Sequence, residues 1–170
     1  MKILVTIKSV LPAVIGVLAV GLGSTSVFAA TATTTFQVTA DVQATCTVSA
    51  TAMPFGDYTV VGKVEFGING DITVVCSNGL NYAIGLNAGL GPGATVTTRA
   101  MIGPGSAALS YGLFQDAGFA VNWGNTPGTD TVSRTGNGGP QHIVVFGVIP
   151  LGQFVAPGLY ADTITATITF

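Results

Sequence analysis

The chain has 170 residues, 48% of them hydrophobic and only 7% charged, with a formal charge of −2. So few cations cannot track a phosphate backbone, which argues against nucleic acid as a partner. Abundant Thr, Val, Ala and Gly suit strands better than helices, and no segment carries a convincing amphipathic helical period.

Residues 1–29 read as a signal peptide. Lys2 and Lys8 precede an uncharged apolar run from Val10 to Leu22, and Val27-Phe28-Ala29 supplies a cleavage pattern before Ala30, with Thr31 the alternative start. A transmembrane anchor is the competing reading, but Pro12, Gly16, Gly21 and Gly23 interrupt the run and no second apolar span follows. Export leaves 141 residues, enough for one domain with its own core, holding Lys63, Arg99 and Arg134 against seven acidic residues.

Thr34, Phe36, Val38 and Ala40 alternate with Thr35, Gln37, Thr39 and Asp41, which predicts an N-terminal strand running on through Val42 to Val48. Asn69-Gly70 predicts a tight turn, followed by a strand that places Ile72, Val74 and Cys76 on one face. Cys46 and Cys76, the only cysteines, are expected to pair in an exported chain, joining either two neighbouring strands or two facing sheets. Two free thiols or half of a metal site are the alternatives, although with His142 the only histidine a zinc set is disfavoured.

Tyr82 to Leu86 and Leu109 to Leu113 alternate large and small residues, while Ile143 to Ile149 is almost wholly apolar and predicts a strand buried on both sides. Loops rich in Gly and Pro are expected at Asn87 to Gly93, Gly103 to Ser106 and Gly124 to Gln141. The last eight residues alternate Thr163, Thr165, Thr167 and Thr169 with Ile164, Ala166, Ile168 and Phe170, a strand with one buried side. It has no successor in the chain, so its next neighbour is expected from elsewhere. Short strands without intervening helices predict an all-β antiparallel sandwich or barrel.

Signals for chemistry are weak. Gly89-Leu90-Gly91-Pro92-Gly93-Ala94 fits a degenerate dinucleotide pattern, but no strand-to-helix unit surrounds it and a turn is the better reading. His142 has no nucleophile or acid in a recognisable motif beside it, so a histidine at a strand edge is favoured over a general base. Asp41, Asp57, Glu65, Asp71, Asp116, Asp130 and Asp162 lack the spacing of a calcium loop and read as solvated turns and strand ends. Trp123, Tyr111 and Phe114 fit a core better than a ligand surface. No enzyme activity, metal or cofactor is expected.

The order Cys46-Thr47-Val48, Phe55-Gly56-Asp57-Tyr58, Ile72 to Ser77, Leu109 to Phe114, Trp123-Gly124 and Pro157-Gly158-Leu159-Tyr160-Ala161-Asp162-Thr163 through Phe170 resembles the spore coat protein U domain. That family includes subunits of archaic, Csu-type chaperone-usher pili. The resemblance implies an immunoglobulin-like sandwich over residues 42–170, incomplete and completed by a donor strand. It implies a donor segment over 30–41, with Thr34, Phe36, Val38 and Ala40 as its strand. Ile164, Ala166, Ile168 and Phe170 would line the groove that a periplasmic chaperone and then the next subunit fill.

The expected role is thus a pilus subunit, exported to the periplasm, passed to an outer-membrane usher and displayed at the surface in adhesion or biofilm formation. A secreted spore-coat or matrix protein whose own residues 30–41 complete its sheet is the alternative. A secreted carbohydrate-binding or catalytic domain is a third.

Overall fold

The structure, a computed structural model, describes residues 29–60 and 65–170. The expected signal peptide falls outside it except for Ala29, as does Lys63. The chain divides into one unit ending at Ala40 and a second spanning Asp41–Phe170. In the first, residues 29–40 have no regular secondary structure and are exposed, so the strand predicted over Thr34 to Asp41 is not formed. With no partner strand to take its main-chain groups, alternation alone does not make a strand.

The second unit is all-β, with eight strands among the described residues: β1 (Cys46–Ala50), β2 (Glu65–Cys76), β3 (Asn81–Leu86), β4 (Arg99–Ile102), β5 (Ala108–Phe114), β6 (Val132–Thr135), β7 (Pro140–Ile149) and β8 (Ala166–Thr169). A single 3₁₀ turn, Pro104–Ser106, joins β4 to β5. Five strands form one sheet in the order β1-β2-β7-β5-β4, and three form the other as β6-β3-β8. Every pairing is antiparallel.

The core lies between the sheets. Ile72, Val74 and Cys76 of β2, Ile143, Val145 and Ile149 of β7, and Leu109, Tyr111 and Leu113 of β5 pack toward Tyr82, Ile84 and Leu86 of β3 and Val132 of β6. The large-small alternation read in β3 and β5 therefore does select the buried face. Trp123 is completely buried, as expected, and its Nε1–H donates to the Ile84 carbonyl at 2.9 Å.

Four readings are corrected. Asn69-Gly70 is no turn: β2 runs through it, with a shift in its register against β7 between Gly67 and Gly70, so the flexible pair makes a bulge. Strand β1 begins at Cys46, because residues 42–45 carry no ladder. β7 is buried on one face only, with Val144 exposed on the other, since no layer covers the outside of the five-stranded sheet there. The stretch read as a loop from Gly124 to Gln141 contains all of β6 and the start of β7, and β4 was not anticipated at all.

Arg99 opens β4 and is fully buried. Its guanidinium donates to the carbonyls of Asn87 (2.8 Å), Val96 (2.7 Å), Leu86 (3.0 Å) and Trp123 (2.7 Å). A buried cation is tolerated because its fork of donors meets oxygen throughout, although burial still lowers its pKa. These bonds tie the end of β3 to β4 and to the segment bearing Trp123.

Candidate functional site

The site begins with two sheet edges. In β8 and the residues leading into it the threonines are exposed while Ile164, Ala166 and Ile168 turn inward, half-buried against the core; the strand itself forms only over Ala166–Thr169 rather than from Thr163 to Phe170. The Asn87 N–H donates to the Thr165 carbonyl at 3.1 Å, fixing a bonded rung there. Rungs alternate in an antiparallel ladder, so Thr167 and Thr169 bond to Gly85 and Ala83 of β3. The N–H and C=O groups of Ala166 and Ile168 consequently point away from β3, and β8 is the outermost strand of its sheet.

Strand β1 repeats this arrangement on the other sheet. The Ser77 N–H donates to the Thr45 carbonyl (2.9 Å) and the Thr51 N–H to the Asp71 carbonyl (3.0 Å), placing the bonded rungs at odd-numbered residues. Cys46, Val48 and Ala50 therefore present their main-chain groups to an edge where no further strand pairs among the described residues. Both other outer strands are protected. The backbone of β4 bridges to Ala161 through Ile102, and β6 carries Arg134, a charge of the kind that discourages edge pairing.

A trough of about 980 Å³ opens where these edges end, reached by Ala50 at the end of β1 and Ala166 at the start of β8. Its floor is the core itself, including Ile72, Leu86, Leu113 and Ile149. One wall is the segment that follows β1, residues 50–58, and the other is the segment that leads into β8, residues 155–166. The chain leaves β1 at the end where it enters β8, so the two strands run in opposite directions along the trough. Phe55 stands in the first wall with its ring edge-on to Tyr111 (centroids 5.6 Å apart, 66° between planes). Tyr58 anchors the same wall, donating from its hydroxyl to the Pro150 carbonyl (3.2 Å) and accepting the Gln153 N–H (2.9 Å).

The second wall is pinned by Asp162. Its Oδ1 accepts the N–H groups of Leu90 and Thr163, both at 2.7 Å, and its Oδ2 accepts the Tyr111 hydroxyl at 2.7 Å. Gly89 permits this approach, because its φ is +85° and a Cβ there would overlap the Asp162 carboxylate. Burial, reinforced by Asp162, pushes the Tyr111 phenol far above its ordinary range, so it remains a neutral donor.

The trough offers apolar surface and unpaired main-chain groups. Among the described residues, no group of three or more His, Cys, Asp or Glu side chains is placed to hold a metal ion. His142 lies on the solvent face of β7, its Nδ1 2.7 Å from Asp71 Oδ2, with the Thr73 hydroxyl bonded to both. It pairs with Thr73 of β2 on the part of β7 beyond the β5 ladder, which covers Phe146 to Val148. The hydrogen bond from His142 holds the Asp71 carboxyl below its usual range.

The candidate residues fall into three groups. Cys46 and Cys76 form the disulfide, bridging neighbouring strands of one sheet. Ile164, Ala166 and Ile168 line up on the inner face of the second wall and of β8, whereas Phe170 at the end is exposed. Thr34, Phe36, Val38 and Ala40 lie in the N-terminal unit, with Phe36 and Val38 exposed. Sequence reasoning missed Met53 and Phe55 as wall residues, although their spacing across Pro54 is a strand-like signal. It also read Asp162 as a solvated strand end.

The Spore Coat Protein U domain matches residues 32–167. The chain is 36% identical to Protein U of Myxococcus xanthus over 156 residues, covering 84% of this chain and 87% of that one. Its fold is similar to the crystal structure of the CsuC-CsuE chaperone-tip adhesion subunit pre-assembly complex from archaic chaperone-usher Csu pili of Acinetobacter baumannii. That match has a TM-score of 0.55 and 23% identity over 76% of this chain, and it spans 40% of that chain. The matched span and the identity agree: the chain belongs to the spore coat protein U domain family.

Proposed function

We propose that this chain is a structural, non-enzymatic subunit of a surface pilus that polymerises by donor-strand complementation. The observation that carries the reading is one apolar trough that opens where β1 ends and β8 begins, beside sheet edges that no strand among the described residues pairs with. A seated strand would bond to such an edge and send alternate side chains to the floor, the recognition mode of β-strand addition. The donor is the segment Ala30 to Asp41 of another copy, with Phe36 and Val38 as its large apolar groups. Ile164, Ala166, Ile168 and Phe170 line the acceptor side.

Before assembly a periplasmic chaperone fills the trough, as the related tip subunit was crystallised with its chaperone. An outer-membrane usher then exchanges it for the next subunit. Export by a cleaved signal peptide, surface display, and a part in adhesion or biofilm formation complete the reading. The test is removal of Ala30 to Ala40: the shortened chain should still co-purify with the chaperone but form no fibres by electron microscopy. Fibres of ordinary length from it would exclude this segment as the donor.

A further inference from the structure

Strand β8 meets β3 through an irregular rung. An ordinary rung would pair the Thr165 N–H with the Asn87 carbonyl, but the Arg99 Nε–H already occupies that carbonyl at 2.8 Å. The Asn87 side chain substitutes for it. Its Oδ1 accepts the Thr165 N–H at 2.8 Å and the Gly89 N–H at 3.2 Å, while the Asn87 N–H still reaches the Thr165 carbonyl. Three residues before Thr165, the Asp162 carboxylate grips Leu90, Thr163 and Tyr111. One short stretch beyond β3 therefore holds the entry to β8 at two points, and buried Arg99 holds that stretch.

We infer that Asn87 and Asp162 are positioning residues that fix the register of β8 and hence where Ile164 and Ala166 stand at the trough and Ile168 against the core. A strand with one free edge has half the ladder of an interior strand, so its register depends on whatever holds its ends. A two-residue slip would keep the same face inward but move each apolar side chain one site along the trough. The effect on strand capture rests on the proposed acceptor role, whereas the effect on register does not.

Hydrogen exchange on the full mature chain tests the inference. In Asn87→Ala and in Asp162→Ala, the Thr165, Thr167 and Thr169 amides should exchange at least tenfold faster, while Ile72, Ile143 and Val145 in the opposite sheet keep their wild-type rates. Asn87→Asp, which retains the acceptor oxygen, should restore slow exchange. If Asp162→Ala does not fold, Tyr111→Phe removes one of its bonds without touching the main chain and should accelerate Thr163 and Thr165 selectively. Wild-type exchange along β8 in the folded variants would overturn the inference. In parallel, a fluorescent peptide of residues 30–41 should leave the two accelerated variants about tenfold faster than it leaves wild type. Failure of the peptide to bind wild type would count against the acceptor reading alone, and the exchange result would still decide the register.

Discussion

Cys46 and Cys76 stand directly opposite one another in the β1–β2 ladder, with Cα atoms 4.1 Å apart, at a rung where neither main chain bonds to the other. The bridge fastens β1 to the one neighbour it has. Closing a loop across a separation of 30 residues stabilises the fold by about 3–4 kcal/mol on the chain-entropy argument. Cys46→Ser should lose about that much in urea denaturation, lower the exported yield and leave Cys76 open to labelling. In the denatured but unreduced wild type no thiol should label, and stoichiometric labelling would refute the bridge.

The inner face of β8 supplies a sharper test of the trough. Ile168 is half-buried against the core while Thr167 is exposed. A carboxylate at position 168 would be carried into an apolar groove at a cost of several kcal/mol. Ile168→Asp should therefore abolish chaperone co-purification and fibre formation, with Thr167→Ser close to wild type. Equal chaperone recovery for Ile168→Asp and wild type would remove this face from the acceptor.

Trp123 joins packing to polar satisfaction in one side chain. Trp123→Phe would leave the buried Ile84 carbonyl without its donor and open space in the core, which together should cost about 2–4 kcal/mol. Chemical denaturation would measure it. A loss below about 1 kcal/mol would mean that water or a neighbour replaces the lost N–H.

Acid sensitivity should pass through Asp71. Its carboxyl is held below its ordinary value chiefly by the bond from His142, so its folded pKa lies under its unfolded one. The contribution to stability is present above the unfolded value and fades as pH falls through the lower folded value. Asp116, held low mainly by the N–H groups of Val121, Ala120 and Gly118, acts with the same sign. Asp71→Asn should accordingly be less stable than wild type at neutral pH, with the gap closing below about pH 4. Urea midpoints from pH 3 to pH 7 would show this, and a gap independent of pH would refute it.

Strand type and facing were legible where alternation met a ladder, as in Tyr82, Ile84 and Leu86 or Ala166 and Ile168, although β8 takes only Ala166–Thr169 of the eight alternating residues from Thr163 to Phe170. The same alternation at Thr34 to Ala40 misled about local structure, because period-2 patterning states which face is apolar without supplying a neighbour. β4 escaped notice since it is only four residues long and opens with an arginine, a residue that reads as surface unless its acceptors are known. The trough depends on which strands end up at the edges, a property of topology that composition does not encode. Its apolar lining was legible only on the β8 side.

The opposed directions of β1 and β8 and the trough that opens where one ends and the other begins have a consequence for symmetry. On the proposed reading, copies meet through unlike patches, the N-terminal segment of one and the trough of another. Such a heterologous contact, where it does not close into a ring, extends as an open filament. Each chain has one of each patch, so the filament cannot branch. It is also polar, with an empty trough at one end and an unused segment at the other. A chain lacking residues 30–40 could accept a neighbour but never donate to one, and substoichiometric amounts of it should shorten the filament from one end only.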